Sequence, residues 1–236
     1  MRFLTILPVP GMPATSENAI ASGIPLFPLA GAVIGALLAG VGLASGALWD
    51  GLVRSVLIVT AWGILTSGLH LDGLSDTFDG VMSWRSRERK LEIMKDSRIG
   101  AMGALALVAV LALKVAWLRA LGDHWLLAVV LAPVLGRWAN TYGIFWFPAA
   151  REGGLGRDFQ SQARRSDFVV ATATALALAL LLGGWRGLVA LALVWVVTQL
   201  LAMWWTRDLG GLTGDTYGAL CEIAEVVTLA ALSARL

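Results

Sequence analysis

Apolar runs long enough to cross a bilayer alternate with polar connections along almost the whole chain. A spanning helix needs roughly 20 mainly apolar residues. On that pattern seven segments predict spanning helices, near 26–48, 52–71, 101–121, 125–147, 168–184, 187–205 and 216–234. The fifth is the shortest and the last carries two glutamates, which bounds the number between six and eight. The first, "GAVIGALLAGVGLASG", is glycine-rich and suits close helix packing. Residues 72–100 and 148–167 are long polar connections, 206–215 is moderate, and the others are only a few residues. The expectation is therefore an all-α, polytopic membrane bundle forming one domain over residues 1–236, with the lipid bilayer as its solvent.

Composition agrees. The chain is 58% hydrophobic and 14% charged, against about 25% charged in a soluble domain. Tryptophans such as Trp49, Trp125, Trp146, Trp185 and Trp205 stand at the edges of apolar runs, as in an interfacial belt. A net charge of only +2 and the lack of a long basic tract argue against a nucleic-acid partner. The single cysteine, Cys221, excludes an internal disulfide and a cysteine-cluster metal site. The start, "MRFLTILPVPG", lacks a cleavage pattern and is expected to be retained near the membrane surface.

Basic residues set the orientation. Arg85, Arg87, Arg89, Lys90, Lys95 and Arg98 lie between the second and third segments. Arg151, Arg157, Arg164 and Arg165 lie between the fourth and fifth, and Arg207 lies between the sixth and seventh. The opposite side carries only Arg54, Arg119, Arg186 and Arg235 near its ends. That asymmetry predicts a cytoplasmic N-terminus, with the polar connections on the cytoplasmic side.

Against this background, "HLDGLSDTFDG" at 70–80 is unusual. Asp72, Asp76 and Asp79 follow i, i+4, i+7 spacing and fall within about 60° of one another on a helix. Three carboxylates in register repel each other and are costly near a membrane unless something neutralises them. Mg²⁺ does so, since it takes carboxylate oxygens and leaves positions for phosphate. A solvated helix end is the plainer alternative. A second acidic block, "LGGLTGDTYGALCEIAE" at 209–225, puts Asp215, Glu222 and Glu225 on one broad helical face. Its turn, with Thr213 and Gly214, suits a helix start that offers backbone N–H groups to an anion.

Cations suited to phosphate occur in two places. Lys95 and Arg98 in "KDSRIGAMG" precede the third segment, where topology flanking is the alternative reading. Arg137 and Asn140 lie inside the fourth, where an arginine needs an acidic or phosphate partner. The run "RSRERK" at 85–90 reads as a solvated, topology-setting face. His70 points away from the aspartate stripe; a hydrogen-bonded structural role and a general base are both open.

These residues carry a resemblance. "RFLTILPVP", "FPLAGAVIGALL", "LHLDGLSDTFDG", "KDSRIGAMG", "PVLGRWA" and "LGGLTGDTYGA" with Glu222 and Glu225 resemble, in order, the blocks of the cobalamin (5′-phosphate) synthases. The resemblance implies a Mg²⁺-dependent enzyme of the bacterial or archaeal cytoplasmic membrane. It would join adenosylcobinamide-GDP to α-ribazole or its 5′-phosphate and release GMP, with its active site facing the cytoplasm. Asp72, Asp76 and Asp79 are then the first-choice metal residues. Asp215, Glu222 and Glu225 hold a second ion or orient the attacking hydroxyl, across one cavity from the first block, and Arg98 and Arg137 hold phosphate. A CDP-alcohol phosphotransferase-like enzyme is a weaker match, because "DGLSDTFDG" lacks that family's alanine–arginine pair. A cation transporter would place its acids near the midplane on broken helices. The sequence leaves monomer and homo-oligomer equally open.

Overall fold

A computed structural model describes residues 23–153 and 155–234 of the chain. The N-terminal segment expected near the membrane surface, and Arg235, lie outside them. Nine helices form the described part: α1 Phe27–Gly46, α2 Gly51–Leu65, α3 Leu69–Val81, α4 Arg87–Ile93, α5 Ala101–Ala120, α6 Trp125–Trp146, α7 Leu155–Gln162, α8 Arg165–Leu209 and α9 Gly214–Ser233. Among the described residues there is no β-strand, only one isolated bridge between Ala149 and Leu212. The all-α expectation is met.

α6 is the axis of the bundle. Every residue from 131 to 144 is buried, and the helix packs against α1, α8 and α9. A helix covered all round belongs to the interior of a bundle. That explains how α6 carries Arg137, Asn140 and Thr141 without exposing them.

Two breaks reshape the segments expected from hydropathy. The second was expected to run to residue 71, but α2 stops at Leu65. Ser67 and Gly68 take φ values of 52° and 64°, the left-handed region that ends helices. The chain then turns by 88° into α3, so the aspartates ride on a separate short helix. The other break is Gly184 in α8, at φ 56° and ψ −140°, a conformation open essentially to glycine alone. A Cβ at Gly187 would collide with the Ala179 carbonyl. Residues eight apart on a straight helix would stand about 12 Å apart along the axis. The chain therefore folds back at Gly184, and Ala175 and Ala179 on one limb share a core with Ala190 and Val194 on the other.

Four elements are long and apolar enough to cross a membrane: Ile24–Gly46, Ala101–Ala120, Arg165–Leu209 and Gly214–Ser233. The bent pair α2–α3 makes a fifth if it is one span. The expected count of seven is not established by these lengths. The fifth and sixth segments lie within α8, the second is cut short, and the fourth is the polar-laden α6.

The three polar connections meet at one end of the bundle. Arg87 Nε donates to the Leu209 carbonyl at 2.7 Å and its Nη2 to the Ala150 carbonyl at 2.9 Å. Lys90 binds both Asp208 oxygens, at 2.6 and 2.7 Å. Leu212 N donates to the Pro148 carbonyl at 2.7 Å, and Ala150 N to the Leu212 carbonyl at 2.8 Å. Arg87 and Lys90 were expected to be solvated topology charges. Instead they tie α4 to the two other connections.

Candidate active site

Glycine lets α3 and α9 come close enough to combine the two acidic blocks. A Cβ at Gly73 would lie 2.7 Å from the Asp215 carbonyl oxygen, and one at Gly218 would lie 3.1 Å from the His70 carbonyl oxygen. The first of these distances leaves no room for any side chain. This backbone contact places Asp215, at the start of α9, beside the aspartate face of α3. Asp72, Asp215, Asp79 and Arg151 all lie within electrostatic reach of Asp76. Asp72 is exposed, while Asp76 and Asp215 are half-buried. Arg151 enters from the connection after α6. Its Nη2 donates to the Leu91 carbonyl at 2.9 Å, and its Nη1 stands 3.9 Å from Asp215 Oδ2.

The third aspartate does something different. Asp79 Oδ2 accepts from Gly100 N at 2.7 Å and Oδ1 from Gly103 N at 2.8 Å. Gly100 is the N-cap residue of α5 and has no side chain with which to cap it. Asp79 supplies that cap from α3, satisfying two N–H groups that the helix leaves open and placing negative charge at its positive end. A Cβ at Gly103 would collide with this carboxylate. Thr213 is also a cap: its hydroxyl accepts from Thr216 N at 3.2 Å and lies 3.3 Å from Asp215 Oδ2.

Deeper in the bundle is a second charged group. Lys114 of α5 binds Glu222 Oε2 at 2.7 Å and also binds Glu225. Arg137 of α6 binds Glu225 and lies 3.3 Å from His70 Nδ1. The Lys114 ammonium also sits 4.2 Å from the Trp62 ring centroid, a cation–π contact. All four charged side chains are at most 3% exposed. Two cations meet two carboxylates, so the group is formally neutral, the condition under which charge is tolerated in a membrane interior. Glu222 follows Asp215 by seven residues, about 10 Å along a helix axis. The Glu222 carboxylate is engaged by Lys114, a cation from α5, rather than left open to a metal ion.

Among the described residues no three His, Cys, Asp or Glu side chains converge as a ready-made metal site. The outer carboxylates nevertheless suit Mg²⁺, which is usually held by one or two carboxylates with the remaining positions left to water and phosphate. A cavity of about 590 Å³ opens between the α2–α3 turn and α5, and of these carboxylates Asp72 lines it. Thr66, Ser67, Asp72 and Ser75 give it a polar side, and Leu107 and Leu111 an apolar one.

A family model of cobalamin-5-phosphate synthases matches residues 1–233. The chain belongs to that family. Among curated relatives, the adenosylcobinamide-GDP ribazoletransferase of Roseiflexus sp. strain RS-1 is 71% identical over 99% of this chain and 87% of its own length. The enzyme of that name from Herpetosiphon aurantiacus is 55% identical over 99% and 94%. That from Desulforamulus reducens is 44% identical over 94% and 90%. No solved structure gives a significant match.

Within this synthase-family chain, the residues expected from sequence divide sharply. Asp72, Asp76 and Asp215 come together, with exposed Gly214 beside them. Asp79 is close but is committed to the α5 cap. Glu222 and Glu225, expected as metal ligands, are paired with Lys114 and Arg137, and neither lines the cavity that Asp72 borders. Arg137 was expected to hold phosphate; it is 0% exposed and bound to Glu225. Asn140 is buried with it. Arg98 is 87% exposed and bound to its neighbour Asp96 at 2.6 Å, whose carboxyl these hydrogen bonds hold down at about 2. Lys95 is exposed. His70 is buried at the edge of the buried group, its Nδ1 3.3 Å from Arg137 Nη2.

Two residues escaped notice in the sequence. Lys114 is a single cation within an apolar run, yet a lone intramembrane charge is itself a signal that a partner exists. Arg151 had been counted only toward topology, and nothing local marks its proximity to Asp215.

Proposed function

We propose that this chain catalyses the reaction named in its relatives: transfer of the corrinoid phosphate from adenosylcobinamide-GDP to α-ribazole or its 5′-phosphate, with release of GMP. A ribose hydroxyl of the acceptor attacks a pyrophosphate phosphorus, a new P–O bond forms, and the bond to the departing GMP oxygen breaks. Such a transfer depends on positioning and charge stabilisation rather than on a covalent protein intermediate. The observation that carries the reading is the meeting of Asp72, Asp76 and Asp215, from segments more than 130 residues apart, at a polar end of the bundle beside a cavity.

In this reading Asp72, Asp76 and Asp215 supply the hard oxygen donors for Mg²⁺, which when bound offsets pyrophosphate charge and stabilises the leaving group. The chain's own contribution is placement. The Gly73–Gly218 contact fixes α3 against α9, Asp79 fixes α3 against α5, and the buried charge group fixes α5, α6 and α9 together. The basic connections at the same end support a site on the cytoplasmic side of the cytoplasmic membrane.

Purified protein in detergent, given adenosylcobinamide-GDP, α-ribazole 5′-phosphate and Mg²⁺, should release GMP and form the joined corrinoid without any membrane gradient. Chelation should stop the reaction, and Mg²⁺ should restore it. Folded protein that forms no joined product, or forms it equally well in chelator, contradicts the reading.

A further inference from the structure

The acidic site lacks an obvious receptor for the anion it must bind. Three carboxylates repel a phosphorylated substrate, and bound Mg²⁺ offsets only part of that charge. Of the cations expected from sequence, Arg98 is paired with Asp96 and Arg137 with Glu225, while Lys95 is an exposed ammonium without a planar fork. The neighbouring connections supply Arg87 and Lys90, but Arg87 donates to two backbone carbonyls and Lys90 is paired with Asp208. Arg151 differs from all of these. One nitrogen is anchored on the Leu91 carbonyl. Nη1 points toward Asp215 at 3.9 Å, beyond hydrogen-bond reach. Nε is buried and has no hydrogen-bond partner among the described residues. The guanidinium is therefore held in position with Nη1 committed to no hydrogen bond among the described residues, a donor that can take a phosphate oxygen.

We infer that Arg151 is the anion-binding residue of this site, its guanidinium taking a phosphate oxygen of a phosphorylated substrate beside Asp72, Asp76 and Asp215. The inference rests on the reading of those aspartates as the transfer centre. The anion has two sources, the pyrophosphate of the activated corrinoid and the 5′-phosphate of the acceptor.

The test is steady-state kinetics of Arg151→Gln and Arg151→Lys, with α-ribazole and α-ribazole 5′-phosphate as alternative acceptors and Asp76→Asn as a reference. Arg151→Gln should lower kcat/KM by roughly 10- to 100-fold, the size of one hydrogen bond to a charged group. Arg151→Lys keeps the charge without the planar fork. It should recover part of that loss, with the residual defect mainly in KM. Equal losses with both acceptors assign the contact to the pyrophosphate, and a loss confined to the phosphorylated acceptor assigns it to the 5′-phosphate. The inference is overturned if Arg151→Gln keeps wild-type kcat/KM with both acceptors. It is also overturned if the loss in the glutamine variant comes with a lowered melting temperature and lysine restores neither, since Arg151 would then merely hold α4. Should the glutamine variant not fold, an unchanged KM for every phosphorylated substrate in Arg151→Lys overturns it. An Asp76→Asn enzyme as active as wild type would sink the transfer-centre reading itself, a result separate from these.

Discussion

Two charged regions share helices α3, α5 and α9 yet have opposite electrostatic character. At the polar end, Asp72 and Asp76 gather with Asp215, whose Oδ2 stands 3.9 Å from Arg151 Nη1, too far for a hydrogen bond. In the interior, Glu222 and Glu225 meet Lys114 and Arg137 in direct contact. Both regions contain carboxylates at helical spacing, so spacing alone does not distinguish them. The balance of cations does. The interior group is complete in itself, as buried charge has to be. The outer group carries surplus negative charge and reaches a cavity through Asp72, which suits a site that takes up a cation and an anionic substrate.

The sharpest way to break this contrast is to neutralise one residue of each kind. Asp76→Asn should leave the protein folded and inserted while lowering GMP release by orders of magnitude, because metal charge stabilisation is worth several kcal/mol. A normal rate at limiting Mg²⁺ would remove Asp76 from the centre. Lys114→Met should act on stability instead. It leaves Glu222 and Glu225 short of a cation, which costs about 3–5 kcal/mol in a buried pair. Denaturation in detergent should reveal that loss, and a variant as stable as wild type would show that the interior group is not self-contained.

Asp79→Asn sharpens the contrast inside the aspartate stripe. An amide oxygen replaces one of two carboxylate acceptors, so a loss of about 1 kcal/mol in stability is expected, the size of a helix cap. Its transfer rate should fall far less than that of Asp76→Asn. An equal fall would return Asp79 to the metal site. The smallest effect belongs to Arg98→Gln. Its exposed pair with Asp96 stands apart from both regions, and turnover and melting should match wild type. A raised KM for the GDP-linked substrate would bring Arg98 back as a phosphate ligand.

What the sequence conveyed follows from how local each feature is. The helical class is carried by apolar runs, and Asp72 with Asp76 by i, i+4 spacing, so both were legible. Asp215 was legible through its glycine-rich turn. The α2–α3 bend depends on left-handed backbone at Ser67 and Gly68, within a stretch that reads as continuous apolar helix. Asp79 looked equivalent to its neighbours on the stripe, since its task is set by α5, a different helix, lacking a cap of its own. Glu222 and Glu225 looked like ligands until Lys114 supplied their counter-charge from 108 and 111 residues away. Arg151 is placed by the Leu91 carbonyl and by the clamp of Arg87 and Lys90, which no periodicity encodes.

The central claim is that Asp76 on α3 and Asp215 on α9 serve one reaction centre. A double-mutant cycle on GMP release, with Asp76→Asn, Asp215→Asn and the pair together, tests it most directly. Parts of one catalytic assembly fail as a unit, so the double variant should be little slower than the slower single one. Losses that multiply, as they do for uncoupled positions, with all three proteins folded and inserted, would contradict the claim.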